Sequence, residues 1–117
     1  NAILSIEIGK NLGCIGYHIN KTVKNSRYRI ITEYGGHGIT WNTPHCFPFI
    51  SNKSQLHEGL RAQIGMSFAI EPLVVKGDNR TWIAKDGWSV LTDSISCHFE
   101  DTVFITKDGP QIITKES

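Results

Sequence analysis

Glu71 stands inside the apolar run Phe68-Ala69-Ile70-Glu71-Pro72-Leu73-Val74-Val75, and the residue after it is a proline. The run reads as a strand, yet Pro72 removes a ladder donor and forbids regular pairing at that point. Glu100 is placed similarly, between His98-Phe99 and Thr102-Val103-Phe104-Ile105. Carboxylates are almost never fully buried unless they are paired or hold a metal, so a fold for this chain has to give these two a partner. His37 is the third such feature, because Gly35, Gly36 and Gly38 around it let the backbone approach something closely. One His and two Glu from three separate strand ends suit a divalent first-row metal such as Mn, Fe, Co or Zn. Taken singly each has a plainer explanation: a loop histidine, a glutamate at an edge-strand bulge, a glutamate sharing a solvated face with Asp101. Their co-occurrence is what gives the metal reading weight.

The scaffold around them reads as α+β. Ile3, Leu4, Ile6 and Ile8 look like the tail of a helix, followed by a Gly9-Lys10-Asn11 turn. Leu12, Ile15, Gly16, Ile19 and Val23 recur at three- and four-residue steps, which predicts a helix from about Leu12 to Lys24. Residues 28–34 are rich in β-branched and aromatic side chains and predict a strand, broken by the glycines at 35–38. Thr40 to Gln63 shows no clean period and is punctuated by Asn42, Pro44, Pro48 and Asn52, so it reads as a long loop or lid. Strands are expected at Met66–Lys76, with the break at Glu71-Pro72, then at Thr81–Ala84, Trp88–Thr92, Ser96–Thr106 and Gln111–Thr114. The turns between them are Gly77-Asp78-Asn79, read as a hairpin, then Asp86-Gly87 and Asp108-Gly109.

Charge and cysteine content narrow the function. The 117 residues amount to one domain at most, and 39% of them are hydrophobic, enough for an ordinary core. A net charge of +1 argues against binding nucleic acid, which draws on a basic excess. Cys14, Cys46 and Cys97 are an odd, widely spaced set without a CxxC, so they read as free thiols in a reducing compartment. No apolar run is long enough for a membrane span and no signal-like start is present, so the expected location is the cytoplasm. The chain begins at Asn1 without a methionine, which suggests that it starts partway through a longer product.

Among the other histidines, His45 lies eight residues after His37 and is a candidate to hydrogen-bond a polarised carbonyl or pass a proton. His98 precedes Glu100 by two and shares its face in a regular strand, which reads as an orienting or packed residue. His18 and His57 have no such company and read as solvent-facing.

Four strings, Tyr34-Gly35-Gly36-His37-Gly38-Ile39, Gly65-Met66-Ser67-Phe68-Ala69-Ile70-Glu71-Pro72, Lys85-Asp86-Gly87-Trp88-Ser89-Val90 and His98-Phe99-Glu100-Asp101-Thr102, together resemble the C-terminal half of the type I methionine aminopeptidases. They fall in that family's order and cover almost the whole of residues 1–117. The resemblance implies a pita-bread fold, a site for two divalent metal ions (Co, Mn, Fe or Zn) and removal of the N-terminal methionine from nascent peptides. It implies His37, Glu71 and Glu100 as metal ligands, with Glu100 bridging. It also implies His45 beside the scissile amide and Trp88 bordering the methionine pocket. Glu71 would then take a proton from the attacking water, and His45 would steady the tetrahedral intermediate.

The sequence departs from the family in three ways. Thr40 replaces the usual glycine after the GHGI string, Pro44-His45 stands one residue late where Phe-His is typical, and Asp101 takes a position where His is common. The largest difference is that no segment resembles the N-terminal half, which carries the family's aspartate ligands. Asp78, Asp86, Asp93 and Asp108 all fall in expected turns and are poor substitutes. The chain therefore reads as incomplete alone, with a partner in an N-terminal half or second chain. Two rival readings are a non-catalytic pita-bread module that binds peptides or proteins, and an Xaa-Pro dipeptidase. The buried carboxylates argue against the first and the KDGWSV string against the second.

Overall fold

The computed structural model describes residues 1–115. The chain starts with a single 3₁₀ turn, Ile3–Ser5, rather than the end of an α-helix. Its backbone turns extended at Ile6, a residue sunk into the core, so the helical hydrogen bonds stop after one turn. Helix α1 spans Gly13–Lys24, within a residue of the predicted start. Its buried stripe is Cys14, Ile15 and Ile19, and Lys21 and Lys24 sit in its last turn, where cations oppose the negative end of the helix dipole. Among the described residues, no helix is long and apolar enough to cross a membrane.

Among the described residues ten strands follow: β1 Arg29–Ile30, β2 Gly36–Thr40, β3 Thr43–Ile50, β4 Ser67–Ile70, β5 Leu73–Val75, β6 Thr81–Ile83, β7 Val90–Thr92, β8 Ser96–His98, β9 Asp101–Thr106 and β10 Gly109–Ile112. Five of them form one sheet in the order β10-β9-β4-β2-β3. A second sheet has the order β1-β5-β8, and β6 and β7 pair alone. The predicted strand at 28–34 shrinks to two paired residues, although Ile31 stays buried and donates its N–H to the Leu73 carbonyl.

Three expectations fail for reasons visible in the backbone and the sheet order. The glycines at 35–38 do not break a strand; they allow one. A Cβ on Gly36 would lie 2.0 Å from the Ala69 carbonyl oxygen, and one on Gly38 would lie 2.2 Å from that of Phe47, so only glycine lets β2 sit this close to β4 and β3. The expected loop after Thr40 contains the eight-residue β3, which tolerates Pro44 and Pro48 because it is the outermost strand of its sheet. The Gly77-Asp78-Asn79 turn also does not make a hairpin, because β1 and β8 already occupy both edges of β5.

Strand β4 is the spine of the larger sheet, and Phe68, Ala69 and Ile70 are all buried. Phe68 and Ile70 point to the helix side and join Ile15, Ile19, Ile50, Val103 and Ile105 in the core. Ala69 points to the other face, together with His37 and Thr102, which flank it across the ladder.

The two sheets meet without a change of register. On the β4–β9 ladder Ile70 faces Asp101, and on the β5–β8 ladder Leu73 faces His98, three residues on along one strand and three back along the other. The pairs left between are Glu71 opposite Glu100 and Pro72 opposite Phe99, and the Phe99 N–H still reaches the Pro72 carbonyl at 3.1 Å. A single antiparallel ladder therefore runs from Ser67 to Val75 on one side and from Phe104 back to Ser96 on the other, relaxed only at the glutamates.

Candidate metal centre

The ladder sets the site. Glu71 is two residues beyond Ala69 and so shares the face opposite the core. Its carboxylate is mostly covered and splits between two histidines, Oε1 lying 2.9 Å from His37 Nε2 and Oε2 lying 3.2 Å from His98 Nε2. Its backbone carbonyl accepts a 2.8 Å hydrogen bond from Nδ2 of Asn52, a fully buried side chain that also reaches the Tyr34 carbonyl at 3.4 Å. Asn52 thus pins the strand end that carries Glu71 to the loop before β2. In the sequence it reads only as loop punctuation. Its Oδ1 is buried and has no hydrogen-bond partner among the described residues.

His37 is held on β2 between Phe49 and Ala69, and the small side chain of Ala69 leaves room beside the imidazole. Between His37 and Gly38 the register with β3 jumps from Phe49 to Cys46, so Phe47 and Pro48 bulge out of the ladder. Bulges re-aim neighbouring side chains. Here the bulge brings the His45 ring to 4.1 Å from that of His37, centroid to centroid, although the two lie at opposite ends of a mismatched pairing. A second register shift, between the Gly38–Cys46 and Thr40–Thr43 pairs, sets Pro44 and His45 together against Ile39.

The donors fit a cation. His37 Nδ1 lies 3.0 Å from the Gly38 carbonyl oxygen, which can only accept, so in the neutral ring the proton sits on Nδ1 and Nε2 turns its lone pair to Glu71 Oε1. In that form two acceptors face each other at hydrogen-bond distance, an arrangement that a proton or a metal ion resolves. A backbone carbonyl on Nδ1 is also the usual means of orienting a ligating imidazole. Among the described residues, donor atoms of Glu71, His98 and Glu100 all lie within 4.8 Å of one another. His37 adjoins that group through Glu71. Sequence spacing brings out Glu71 and Glu100 as ligand candidates but assigns His98 only an orienting or packed role.

The aspartates named above lie apart from this cluster in their contacts. Asp78 pairs with Arg80 at 3.1 Å and Asp108 with Lys107 at 3.4 Å, both on the surface. His57 is exposed as expected, whereas His18 is half-buried with its ring edge-on to Tyr17. Cys14, Cys46 and Cys97 are free thiols.

A cavity of about 640 Å³ opens on the site, and His37, His45, Glu71, His98, Tyr34 and Trp88 line it. Glu100 is exposed and stands outside that wall. Trp88 does not begin a strand but sits in the turn before β7, with 87% of its surface exposed. Asp86 builds that turn: Oδ1 accepts from the N–H groups of Trp88 (2.9 Å) and Ser89 (2.8 Å), and Oδ2 accepts from Ser89 Oγ at 2.5 Å. The Ser89 hydroxyl first, and then these N–H groups, hold the Asp86 carboxyl below its ordinary 3.8.

A depressed folded-state value means that the charged form supports the turn above the unfolded value, and that this support fades as pH falls through the folded one. Carbon-detected NMR titration is expected to show Asp86 with a midpoint below 3.8 and the Trp88 indole N–H shift following it. In D86N the indole shift should lose that step; an indole that titrates as before would separate Trp88 from this turn.

The chain is similar in sequence and in fold to known metallopeptidases. The sequence profile described as metallopeptidase family M24 matches residues 1–107. The methionine aminopeptidase of Mycoplasma capricolum is 40% identical over 116 residues, covering 97% of this chain and 46% of that protein. That of Aquifex aeolicus is also 40% identical, over 119 residues, with 98% and 46% covered. The crystal structures of methionine aminopeptidases from Rickettsia prowazekii and Thermotoga maritima each match with a TM-score of 0.91 at 38% identity, covering 47% of those chains. The chain thus spans about half the length of the relatives it matches. Its α+β architecture is that of the pita-bread fold. In sequence and in fold, the chain belongs to metallopeptidase family M24.

Proposed function

We propose that this chain supplies the metal-holding and substrate-facing wall of an enzyme that removes N-terminal methionine from peptides, with two divalent ions in the complete site. The observation that carries the reading is the Glu71 carboxylate held between two imidazoles, with His45 beside it, at the head of one cavity bordered by Trp88. His37, Glu71 and Glu100 are the ligands. Bound metal ions polarise the scissile carbonyl and make water a competent nucleophile near neutral pH. Glu71 accepts the proton of that water, because it is the covered carboxylate on the cavity wall. His45, exposed to the cavity beside His37, donates to the oxygen on which charge develops. Trp88 offers an apolar wall for an unbranched thioether side chain. The substrate is the start of a nascent chain, which places the reaction in the cytoplasm.

The family's aspartate ligands have no counterpart here, so the partner on this reading is the half of the fold that the relatives carry in addition. The chain alone is expected to hydrolyse Met-Ala-Ser with Co or Mn at or near background, and to gain turnover when that half is supplied in trans. Robust turnover by the chain alone would overturn the need for a partner. Absence of turnover in the reconstituted pair would overturn the peptidase reading itself.

A further inference from the structure

We propose that His98 is itself a metal ligand: Glu71 Oε2, His98 and Glu100 hold a divalent ion in a position of their own, beside the one that His37 shares with Glu71 Oε1. The inference rests on the metallopeptidase reading and adds a nitrogen donor to it. Donor atoms of the three side chains lie within 4.8 Å of one another, close enough to converge on one ion. Ligands about 2.0–2.2 Å from a tetrahedral ion sit roughly 3.3–3.6 Å apart. The 3.2 Å between His98 Nε2 and Glu71 Oε2 is close to such a spacing.

The ladder supplies an independent argument. Its register sets Glu71 directly opposite Glu100, and like charges so placed destabilise a sheet. Among the described residues, no lysine or arginine lies within 4.0 Å of either carboxylate, and the Glu71 carboxylate contacts His37 and His98 instead. A divalent cation between the glutamates removes the conflict, and His98, fixed opposite Leu73 at the end of β8, is the donor nearest to hand. The geometry also explains why one carboxylate divides its oxygens between two imidazoles: each oxygen serves a different ion. An imidazole beside two carboxylates selects zinc, cobalt or iron over magnesium or calcium.

The test is titration of the purified 117-residue chain with Zn²⁺, read by calorimetry and by long-range ¹⁵N–¹H spectra of the histidine rings. Zinc is expected to move the Nε2 resonance of His98 as well as that of His37. H98Q keeps a hydrogen-bond donor toward Glu71 but has no imidazole, and it should weaken zinc binding at least 10-fold, since even groups that merely orient a ligand cost about 10–100-fold. If zinc moves only His37, and H98Q binds as tightly as the parent chain, His98 is a hydrogen-bond partner and the proposal fails while the metallopeptidase reading stands. If neither ring responds to zinc, the proposal falls, and the peptidase reading is decided separately by turnover of the reconstituted pair. The ring spectra of the unsubstituted chain decide the matter even if H98Q folds poorly.

Discussion

Replacing Glu71 by Gln is expected to lower divalent-metal affinity by more than 100-fold and to leave the metal-free protein as stable as before. The first expectation follows from position. Glu71 is the residue that every other donor meets, through Oε1 to His37, through Oε2 to His98, and across the ladder to Glu100. Loss of a group that only orients a ligand costs about 10–100-fold, and loss of a ligand that joins the donors costs more. The second expectation follows from charge. The amide has the same shape and can still bond an imidazole, while the repulsion between facing carboxylates disappears. Thermal melting with and without metal separates the two effects. A ligand at 100 times its Kd adds about 2.7 kcal/mol to the native state, so the parent chain's Tm should rise by several degrees on adding Zn or Co. The Gln variant should show no rise. An equal rise in both would remove Glu71 from the ligand set.

A second large effect is expected in the core. Phe68→Ala should cost about 3–5 kcal/mol, the range for truncating a fully buried phenylalanine. Phe68 is 1% exposed on the central strand of the five-stranded sheet. Its partners across the ladder are Gly38 and Val103, and Gly38 has no side chain with which to fill the space. Domains of this kind are stable by only about 5–15 kcal/mol, so the substitution removes a large share of the total. Urea unfolding should show a much lower midpoint with an unchanged slope. Phe104→Ala is the control: Phe104 lies next to Val103 but faces outward, 38% exposed, and should cost far less. Equal losses for the two would mean that the core does not lie on the helix side of β4.

The helix and the long ladder were legible because each has a strong local period. Leu12, Ile15, Ile19 and Val23 repeat at helical spacing, and the apolar runs on either side of Glu71 announce a strand whose proline marks the gap. The facing gap at Phe99-Glu100 carries no proline, so the expected single strand at 96–106 hid the place where β8 ends and β9 begins. The glycines at 35–38 and the prolines of β3 misled for the same reason. Both residue types usually break strands, and both are tolerated here by tertiary circumstances, a close backbone approach in one case and an outermost strand in the other. Of the residues named from the sequence, His37, Glu71, His45 and Trp88 line one cavity and Glu100 stands outside its wall, whereas the contacts of His98 and Asn52 emerge only from the structure. The contact between His98 and Glu71 spans 27 positions of sequence and depends on the register of the ladder, which a local pattern does not reveal.

The unbroken register has a consequence for how proteins with this site can diverge in length. The excursion between the two long strand runs is tied off at its base, where the Lys76 N–H meets the Ile95 carbonyl and the Gly77 N–H meets Ser94 Oγ. Residues can be gained or lost beyond that knot without shifting Glu71 against Glu100. Within the runs themselves the tolerance is zero, because one inserted or deleted residue turns every later side chain to the opposite face and carries a carboxylate into the core. Descendants of such a chain should therefore differ freely in the β6–β7 excursion and keep the spacing from Ser67 to Val75 and from Ser96 to Phe104 invariant.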